Sequence, residues 1–332
     1  MLTEDHAWFD MLRSEPDSLL RPYITGKDIT SSSLTHVDRW ALDISDLPIQ
    51  TIFEKWPLAH RFLLEVVKPT RTPKELGSRK GLIDRWWQFW NHRADQMRQV
   101  RRQEKCIAFA TSAKYPVCLL ASTDWIFTNK VVLIEAGRED THAICLSSIF
   151  QNWVRRYSVS SLGGDNNTLT LSVSEALRTF PMPAMQSSEA AMFAAKSFDD
   201  ELVLWSKTNG LGMTDAMNFV HTPSNEDPVI VNLRRLLEAV DVEVLRAYGW
   251  DDISVSYSFH NFTGGSVNDP WRWALSEDVT TELMHRLTEL NRQRFEELSQ
   301  MPANAPRPTK RGRRSKAASS VRLDDLFAGD NA

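Results

Sequence analysis

The chain has 332 residues, 42% of them hydrophobic and 25% charged, which suits a soluble protein with a substantial core and more than one domain. No run of eighteen apolar residues occurs, and Glu4 and Asp5 interrupt the N-terminus, so we expect neither a membrane span nor a secretory leader, and a cytoplasmic location. Cys106, Cys118 and Cys145 have spacings that fit neither a zinc site nor a disulfide framework and are predicted to be buried thiols.

The net charge of −4 conceals two basic zones in an otherwise acidic chain. Residues 68–105 hold eleven Lys or Arg against four acids, and residues 301–332 hold seven against three, which gives +7 and +4 and leaves −15 for the remainder. Such a division favours a surface that faces a polyanion. A basic helix face that is merely solvated is the alternative interpretation.

The first hundred residues predict short elements separated by turns. Leu20–Ile29 contains a proline and a glycine and is typical of a tight connection. Trp40–Ile44 alternates like a strand, and Leu47–Val67 predicts a helix that ends before a proline. A second helix is predicted from Trp86 to Val100, with at least two of its three tryptophans in the core.

The middle of the chain predicts a small sheet followed by an amphipathic helix. Three short runs of β-type residues, Cys106–Ala110, Val117–Ala121 and Val131–Ile134, are separated by turn signals. The helix Leu146–Tyr157 comes next and ends beside Ser158–Thr170, a small, polar segment typical of a loop.

The C-terminal part, Ser187–Leu298, is predicted to be mostly helical. One helix begins at Asp227-Pro228 and ends at Gly249, and the last helix covers Asp278–Leu298. The predicted fold is therefore α+β. It has a small-sheet domain over residues 1–184, a helical domain over 185–300, and a flexible basic tail over 301–332 with a short docking segment at its end.

Motifs of known catalytic sites are missing from the sequence. There is no Gly-x-x-x-x-Gly-Lys-Ser/Thr phosphate loop and no His-Glu-x-x-His zinc motif. Asn209–Thr214 is only superficially like a dinucleotide loop, because no strand precedes it and the third glycine is absent. We therefore predict no catalytic residue, no metal site and no cofactor in this chain, and expect a protein that recognises a target.

Basic residues near a polar loop are typical of nucleic-acid recognition, in which cations hold phosphates and loop side chains read base edges. The predicted phosphate-binding residues are Arg21, Lys27, Arg79, Lys80, Lys114, Arg155 and Arg156. The predicted base-reading residues are Asp165, Asn166, Asn167 and Thr168. A plain solvent turn is the alternative interpretation of this loop.

An ordered set of short motifs resembles one family, the C-terminal half of Type IIL (MmeI-type) restriction-modification enzymes and related phage-defence adenine-specific DNA methyltransferases. The motifs span roughly residues 15–300, in the order Leu20–Ile29, Val67–Arg71, Trp86–Phe89, Cys145–Ser148 with Trp153, Thr179–Pro183, His221–Ser224, Leu233–Leu236, Asp241, Ala247–Trp250 and Leu287–Arg292.

The resemblance implies a target-recognition domain followed by a helical segment, which would act on double-stranded DNA as a specificity subunit. Methylation of adenine, with S-adenosylmethionine as cofactor, would belong to a partner methyltransferase subunit or to an upstream domain. A helical scaffold for protein interaction, and a truncated remnant of a full-length methyltransferase, are the alternatives.

Overall fold

A computed structural model describes residues 1–31, 37–44, 47–77, 79–90, 93–160, 168–266 and 269–300. Within these ranges the fold is α+β, with several small sheets and a helical C-terminal part, which confirms the predicted class. The predicted basic tail, 301–332, lies outside the described residues.

The helices differ greatly in length, and the longest three lie in the C-terminal half. In chain order they are α1 (Phe9–Arg13), α2 (Gly26–Ser31), α3 (Ile49–Lys55), α4 (Pro57–Phe62), α5 (Pro73–Leu76), α6 (Ala94–Val100), α7 (Thr141–Leu146), α8 (Ser148–Tyr157), α9 (Glu189–Thr208), α10 (Met213–Val220), α11 (Pro228–Tyr248) and α12 (Glu277–Gln300). Single π-helical turns cover Leu63–Val67 and Val173–Leu177, and 3-10 turns cover Lys68–Thr70 and Lys80–Leu82.

The strands are short and form small sheets. In chain order they are β1 (Leu20–Ile24), β2 (Trp40–Leu42), β3 (Lys105–Ala110), β4 (Ser112–Ala113), β5 (Cys118–Ser122), β6 (Ile126–Phe127), β7 (Val131–Glu135), β8 (Val159–Ser160), β9 (Leu169–Thr170), β10 (Tyr257–Ser266) and β11 (Asp269–Leu275). Their orders within the sheets are β2-β1-β6, β5-β3-β7, β4-β9-β8 and β10-β11.

The chain divides into two compact units, and each unit is assembled from separate stretches of sequence. The first unit comprises Met1–Ile24, His36–Glu104 and Ser122–Thr128; the second comprises Thr25–Thr35, Lys105–Ala121 and the chain from Asn129 onward. The domain boundary predicted near residue 184 follows the sequence alone and stays a prediction.

The first unit has an apolar core to which α3 and α4 contribute. The helix predicted over residues 47–67 is interrupted at Trp56, whose backbone is non-helical (φ −134°, ψ 71°) before Pro57 begins α4. The buried carboxylate of Glu15 accepts hydrogen bonds from the N–H groups of Leu58 at 2.8 Å and Ala59 at 3.2 Å. A carboxylate at this end stabilises α4, because the first N–H groups of a helix have no partner within it.

The helix predicted from Trp86 to Val100 is wrong over its first half, since α6 begins only at Ala94. The preceding residue, Arg93, has a left-handed backbone (φ 48°), and its guanidinium donates to the carbonyl oxygens of Phe127 at 2.6 Å and Thr128 at 2.9 Å. These bonds hold the chain in a conformation that no helix can continue.

The tryptophans before α6 pack as predicted. Trp86 and Trp87 lie against the core of the first unit, and the Trp87 indole N–H donates to the Leu47 carbonyl at 2.9 Å. Trp90 is 51% exposed. Two of the three tryptophans are therefore partly buried against the core, because their apolar surface is costly to leave in water.

The second unit is built around the predicted strands. The β3 strand pairs antiparallel with β7, and both are almost fully buried. The three cysteines are buried and free, which confirms the prediction of buried thiols. Helix α8 begins where the Ser147 hydroxyl accepts from the Phe150 N–H at 3.3 Å, and Trp153 anchors it by donating to the Ala176 carbonyl at 2.9 Å.

The long C-terminal helices follow their predicted signals. The Asp227 carboxylate accepts from the Val229 N–H at 2.8 Å, and Gly249, with φ 73°, ends α11. Helix α12 covers the predicted last helix and one or two residues more at each end. The β10–β11 hairpin was not predicted, so the mostly helical interpretation of 187–298 is corrected there.

A close backbone contact joins α2 to α10 within the second unit. A Cβ on Gly212, which precedes α10, would lie 2.7–2.8 Å from backbone atoms of Ser31. No side chain fits that distance, so glycine at this position permits the contact. The glycine-containing segment Asn209–Thr214 thus leads into α10, with Gly210 at φ 64°.

Candidate functional site

The predicted phosphate-binding residues are distributed over both units. In the first unit, Arg21 donates to the carbonyl oxygens of Ser18 at 2.6 Å and Leu20 at 3.0 Å, so its guanidinium is engaged by its own backbone. Arg79 is exposed, and the side chain of Lys80 lies outside the described residues. The two described side chains thus each donate to a backbone carbonyl close in sequence, Arg79 to that of Leu76 at 3.4 Å.

In the second unit, the structure brings two of the predicted cations together and leaves two on the surface. Lys27, in α2, and Arg156, in the last turn of α8, are exposed. Lys114 and Arg155 are half-buried and belong to one cationic cluster with residues from distant parts of the chain.

The predicted base-reading segment is attached to the β4-β9-β8 sheet. In this sheet Ser160 pairs with Leu169, and Leu169 pairs with Ala113. Asp165, Asn166 and Asn167 lie outside the described residues, and Thr168 is half-buried just before β9. Their role in reading bases stays a prediction, and the strands on either side of the segment are held by backbone pairing.

The cationic cluster is organised around the ring of Tyr115, which stacks on His221 with the centroids 4.9 Å apart and the planes at 25°. The guanidinium of Arg272 and the ammonium of Lys114 each lie 5.2 Å from the centroid of the Tyr115 ring. Asn218 holds Lys114 and Tyr115 in place, since its Oδ1 accepts from Lys114 Nζ at 2.6 Å and from the Tyr115 hydroxyl at 2.9 Å.

The protonation state of His221 is set by its burial and by the cations around it. Burial, and then the charges of Arg272, Arg155, Lys114 and Arg234, hold the pKa of His221 well below its ordinary value. Its Nδ1 accepts a hydrogen bond from the Trp273 backbone N–H at 3.1 Å. The imidazole is therefore neutral at physiological pH, and its proton is on Nε2.

Arg155 experiences the same concentration of positive charge. Burial, and then the charge of Arg272, lower the pKa of Arg155 to about 10, although the nearby Tyr115 acts in the opposite direction. Placing cations near one another away from water is unfavourable unless an anion compensates them. The cluster thus concentrates positive charge in a partly buried region of the second unit.

Arg234 has a structural role beside the cluster. It donates to carbonyl oxygens at and after the C-terminus of α10, those of Val220 at 2.8 Å, Thr222 at 2.9 Å and Asn225 at 2.9 Å. Its guanidinium also lies 4.9 Å from the ring centroid of Phe259 in the hairpin. These contacts satisfy the last carbonyls of α10 and hold the hairpin beside it.

A pocket of about 510 Å³ opens next to the cluster, and its lining belongs entirely to the second unit. The lining combines apolar side chains with cationic and aromatic groups. Among its members are Tyr115, Ser148, Gln151, Asn152, Arg155, Phe198, Met217, His221, Tyr257, His260, Arg272, Trp273 and Glu277. A volume of this size lies within the range of roughly 300–1,000 Å³ that small-molecule sites occupy.

One part of the pocket lining rests on a buried carboxylate. Asp241, fully buried in α11, accepts from the Ser148 backbone N–H at 2.7 Å and from the Tyr257 hydroxyl. The Ser148 hydroxyl and the Tyr257 hydroxyl are 2.6 Å apart. Burial raises the pKa of Asp241 to about 6, although its hydrogen bonds with Tyr257 and Ser148 lower it. This network orients Tyr257 in the pocket wall.

A second buried cluster contains a cysteine, a histidine and a carboxylate, but its chemistry does not suit nucleophilic catalysis. His142 Nε2 lies 2.8 Å from Asp199. Burial opposes protonation of His142, but the Asp199 charge outweighs it and raises the pKa to about 10. Burial raises the pKa of the adjacent Cys118 thiol to about 11. The thiol is protonated and only 1% exposed, so it is a structural group.

Sequence reasoning missed His221, Arg272, Trp273 and Tyr115 as site residues. Arg272 and Trp273 belong to the unpredicted β11, and the alternation of aromatic and polar residues in Tyr257–Thr263 was the available signal for its partner strand. No local signal links Arg155 to Arg272, because the fold alone brings them together.

Two absences hold for the part of the chain that the structure describes. Its His, Cys, Asp and Glu side chains nowhere gather in groups of three or more that would hold a metal ion. None of its helices combines the length and the apolar character that crossing a bilayer requires.

No family model and no curated protein matches the sequence. Among solved structures, the chain is similar to the Type IIL restriction-modification enzyme MmeI, whose structure was determined in complex with DNA, with 13% sequence identity and a TM-score of 0.51. The match covers 88% of this chain and 33% of that enzyme, so this chain spans about a third of its length. The likeness shows a shared fold and supports at that level the resemblance inferred from the motifs.

Proposed function

We propose that this chain recognises a DNA sequence as the specificity component of an adenine-specific methyltransferase or restriction-modification system. The observation that carries the proposal is the fold, which matches part of a DNA-bound restriction-modification enzyme over 88% of this chain. Methylation, and the S-adenosylmethionine that it consumes, are assigned to a partner methyltransferase subunit or domain.

The surface cations of the second unit supply the affinity in this proposal. Lys27 and Arg156 are exposed and are available to phosphate oxygens. Each phosphate contact releases counterions from DNA, so the affinity falls as salt rises. The polar residues 165–168, between β8 and β9, are proposed to read base edges, because paired strands hold the two ends of their segment in place.

Titration of duplex DNA at increasing salt tests the electrostatic part of the proposal. The double variant Lys27→Ala/Arg156→Ala is expected to bind more weakly and to lower the slope of log affinity against log salt by about 2, since each contact contributes roughly 0.9. Lys207→Ala, which removes one exposed charge on α9 outside the predicted set, serves as the control. An affinity of the unaltered protein that is the same at 50 and 200 mM salt contradicts the proposal.

The assignment of catalysis to a partner has its own test. The purified chain, incubated with duplex DNA and labelled S-adenosylmethionine, is expected to transfer no methyl group. Label incorporated into adenine by this chain alone would contradict the proposed division of roles.

A protein-interaction scaffold is the second candidate function, and exposed apolar side chains on α9 favour it. Phe193 is 73% exposed and Leu204 is 65% exposed. They are eleven residues apart, which places them on the same face of the helix after three turns. If interaction is the main role, Phe193→Asp/Leu204→Asp abolishes capture of a partner protein, and Lys27→Ala/Arg156→Ala leaves duplex DNA binding unchanged.

A further inference from the structure

The first unit carries a group of cations that its own acids leave unpaired. Residues 68–85 contain six Lys or Arg and two acids, Glu75 and Asp84. Over the described part of this stretch, 68–77 and 79–85, no ion pair forms, and the side chain of Lys80 lies outside it. The cations without an acidic partner are Lys68, Arg71, Lys74, Arg79 and Arg85. Their charge is therefore available to an external polyanion.

Two of these arginines lie near each other and differ in how they are held. Burial, and then the charge of Arg79, lower the pKa of the half-buried Arg71. Arg71 donates from Nε to the Trp86 carbonyl at 3.0 Å and from Nη2 to the Gln88 carbonyl at 3.4 Å, so it is fixed by the backbone. Arg79 is exposed and donates from Nε to the Leu76 carbonyl at 3.4 Å. Its Nη atoms have no acceptor in the described ranges and are left for an outside ligand.

An exposed tryptophan lies beside these cations. Trp90 is half exposed, although an indole is costly to leave in water. A Cβ built on Gly81 would lie 3.7 Å from the Trp90 ring and 4.0 Å from an Arg85 guanidinium nitrogen, so the ring and the guanidinium flank one glycine. A turn brings Arg79 to the same place, since the Leu82 N–H donates to the Arg79 carbonyl at 3.0 Å. The group is called the Trp90 surface below and consists of Arg71, Arg79, Arg85 and Trp90.

The ring of Trp90 favours an unpaired strand over a duplex as the ligand of this surface. In a duplex each base face is covered by the next base, so a protein reaches phosphates and base edges. An unpaired strand also offers base faces, and proteins that bind it combine cations with aromatic side chains on which bases stack. An acidic protein segment would match the cations alone.

We propose that the Trp90 surface binds single-stranded DNA, with a base stacked on Trp90 and neighbouring phosphates at Arg79 and Arg85. The stacking and the phosphate contacts are argued from the first unit alone. The choice of DNA over RNA rests on the proposed function, in which a methyltransferase flips its target nucleotide out of the stack and so creates unpaired nucleotides.

Titration of the unaltered protein with three probes tests the chemistry of the ligand. A fluorescent oligothymidylate of about 12 nucleotides is expected to bind roughly 10-fold or more tightly than an abasic strand of the same length, because only the first can stack. Polyglutamate of equal charge is expected not to displace it. Equal binding of the abasic strand, or displacement by polyglutamate, overturns the proposal.

Substitutions of the exposed ring locate the stacking. Trp90→Leu keeps an apolar side chain without an aromatic face and is expected to lose roughly 10-fold or more in affinity for oligothymidylate. Trp90→Phe keeps a face and is expected to retain most of the affinity. Trp271→Leu, at a tryptophan of the second unit that is 42% exposed, is the matched control and should bind like the unaltered protein. Equal affinities of Trp90→Leu and Trp90→Phe overturn the assignment.

The salt dependence of the same titration tests the phosphate contacts. Arg79→Met/Arg85→Met is expected to lower the slope of log affinity against log salt by about 1.4, since each phosphate of a single strand contributes roughly 0.7. Arg61→Met is the control in the same unit, because Arg61 is exposed but paired with Glu65 at 2.7 Å, and should leave the slope unchanged. An equal change of slope in the two proteins contradicts the proposed contacts.

Comparison of three nucleic acids separates this inference from the proposed function. Loss of duplex binding in Lys27→Ala/Arg156→Ala with oligothymidylate binding retained supports two distinct surfaces. Absence of oligothymidylate binding by a protein that binds duplex DNA contradicts the Trp90 surface alone, and the reverse result contradicts the proposed function alone. Tighter binding of oligouridylate than of oligothymidylate overturns the choice of DNA.

Discussion

His142 and His221 are buried to nearly the same degree, 8% and 9% exposed, yet the protein holds them in opposite protonation states. Asp199 lies 2.8 Å from His142, and its charge outweighs burial and raises the pKa to about 10. Around His221 the neighbouring charges are cationic, so they act with burial and lower the pKa well below its ordinary value. The charge of a buried histidine is thus decided by the side chains it faces.

The comparison also separates two kinds of region in the second unit. Near His142 each charge has a counter-charge, and the region contributes to stability. Near Arg155, burial and then the like charge of Arg272 lower the pKa of the Arg155 guanidinium. Variants that add or remove single charges test this distinction.

The largest effect is expected from Asp199→Asn. The change leaves His142 buried without its counter-charge, and breaking a buried pair of this kind costs about 3 kcal/mol. Chemical denaturation at pH 6 measures the loss in the free energy of unfolding. Asp200→Asn, which alters an exposed carboxylate paired with Lys196, is the control and is expected to cost less than about 1 kcal/mol.

The stabilisation that the His142–Asp199 pair provides should decrease as the pH rises. The pKa of His142 is 6.5 in the unfolded chain and about 10 in the folded protein, so its stabilisation is complete below pH 6.5 and is lost as the pH rises through 10. The Asp199→Asn variant should lack this decline. A decline of equal size in both proteins would show that the pair is not its source.

A somewhat smaller effect is expected at Asp241. Its pKa is raised from 3.8 to about 6, so the extra stability of the protonated form is present below pH 3.8 and is lost as the pH rises through 6. The free energy of unfolding that is lost over this pH range amounts to roughly 2–3 kcal/mol. Asp241→Asn keeps an acceptor for Ser148 and should remove this dependence from denaturation curves measured between pH 3.5 and 7. A variant with the original dependence would exclude Asp241 as the titrating group.

Removal of one cation near His221 is expected to change the stability of the protein little. It is expected to shift the titration of His221 clearly. In Arg155→Met the pKa of His221 moves up toward its ordinary value, because one of the charges that lower it is gone. Nuclear magnetic resonance of the imidazole protons measures this, and the stability gain is at most about 1 kcal/mol. Arg156→Met should leave the titration unchanged, and an equal shift in both variants would contradict the assigned contact.

The smallest effect, no reaction at all, is expected at Cys118. Although the charged His142 is adjacent, burial raises the pKa of the thiol to about 11 and excludes reagents. Iodoacetamide at pH 7.5 should leave Cys118 unmodified in the folded protein and modify it after denaturation. Rapid alkylation of the native protein would mean that the thiol is accessible and activated.

Local signals made part of the fold predictable. Asp227 and Gly249 bound α11 because the first caps the N-terminal N–H groups and the second accepts a left-handed backbone, and both effects depend on residues close in sequence. The helix expected from Trp86 was wrong because bonds from Arg93 to the distant Phe127 and Thr128 override helical spacing.

The candidate site was much less predictable than the helices. The sequence indicated Arg155 as a cation at a helix end, but its neighbour Arg272 is 117 positions away and lies in a hairpin that was not predicted. Asp241 was noted as one of the family-like motifs, but its bond to Ser148 depends on packing between α11 and α8. Proximity across such separations is a property of the folded chain.

The contact between Gly212 and Ser31 has a consequence for synthesis of the protein. Helix α2 finds its partner α10 only after about 180 further residues have been translated. At rates of roughly 5–20 residues per second, that delay is on the order of 10–40 seconds. During this interval α2 lacks its native neighbour α10, so the contact between these two helices forms late in synthesis.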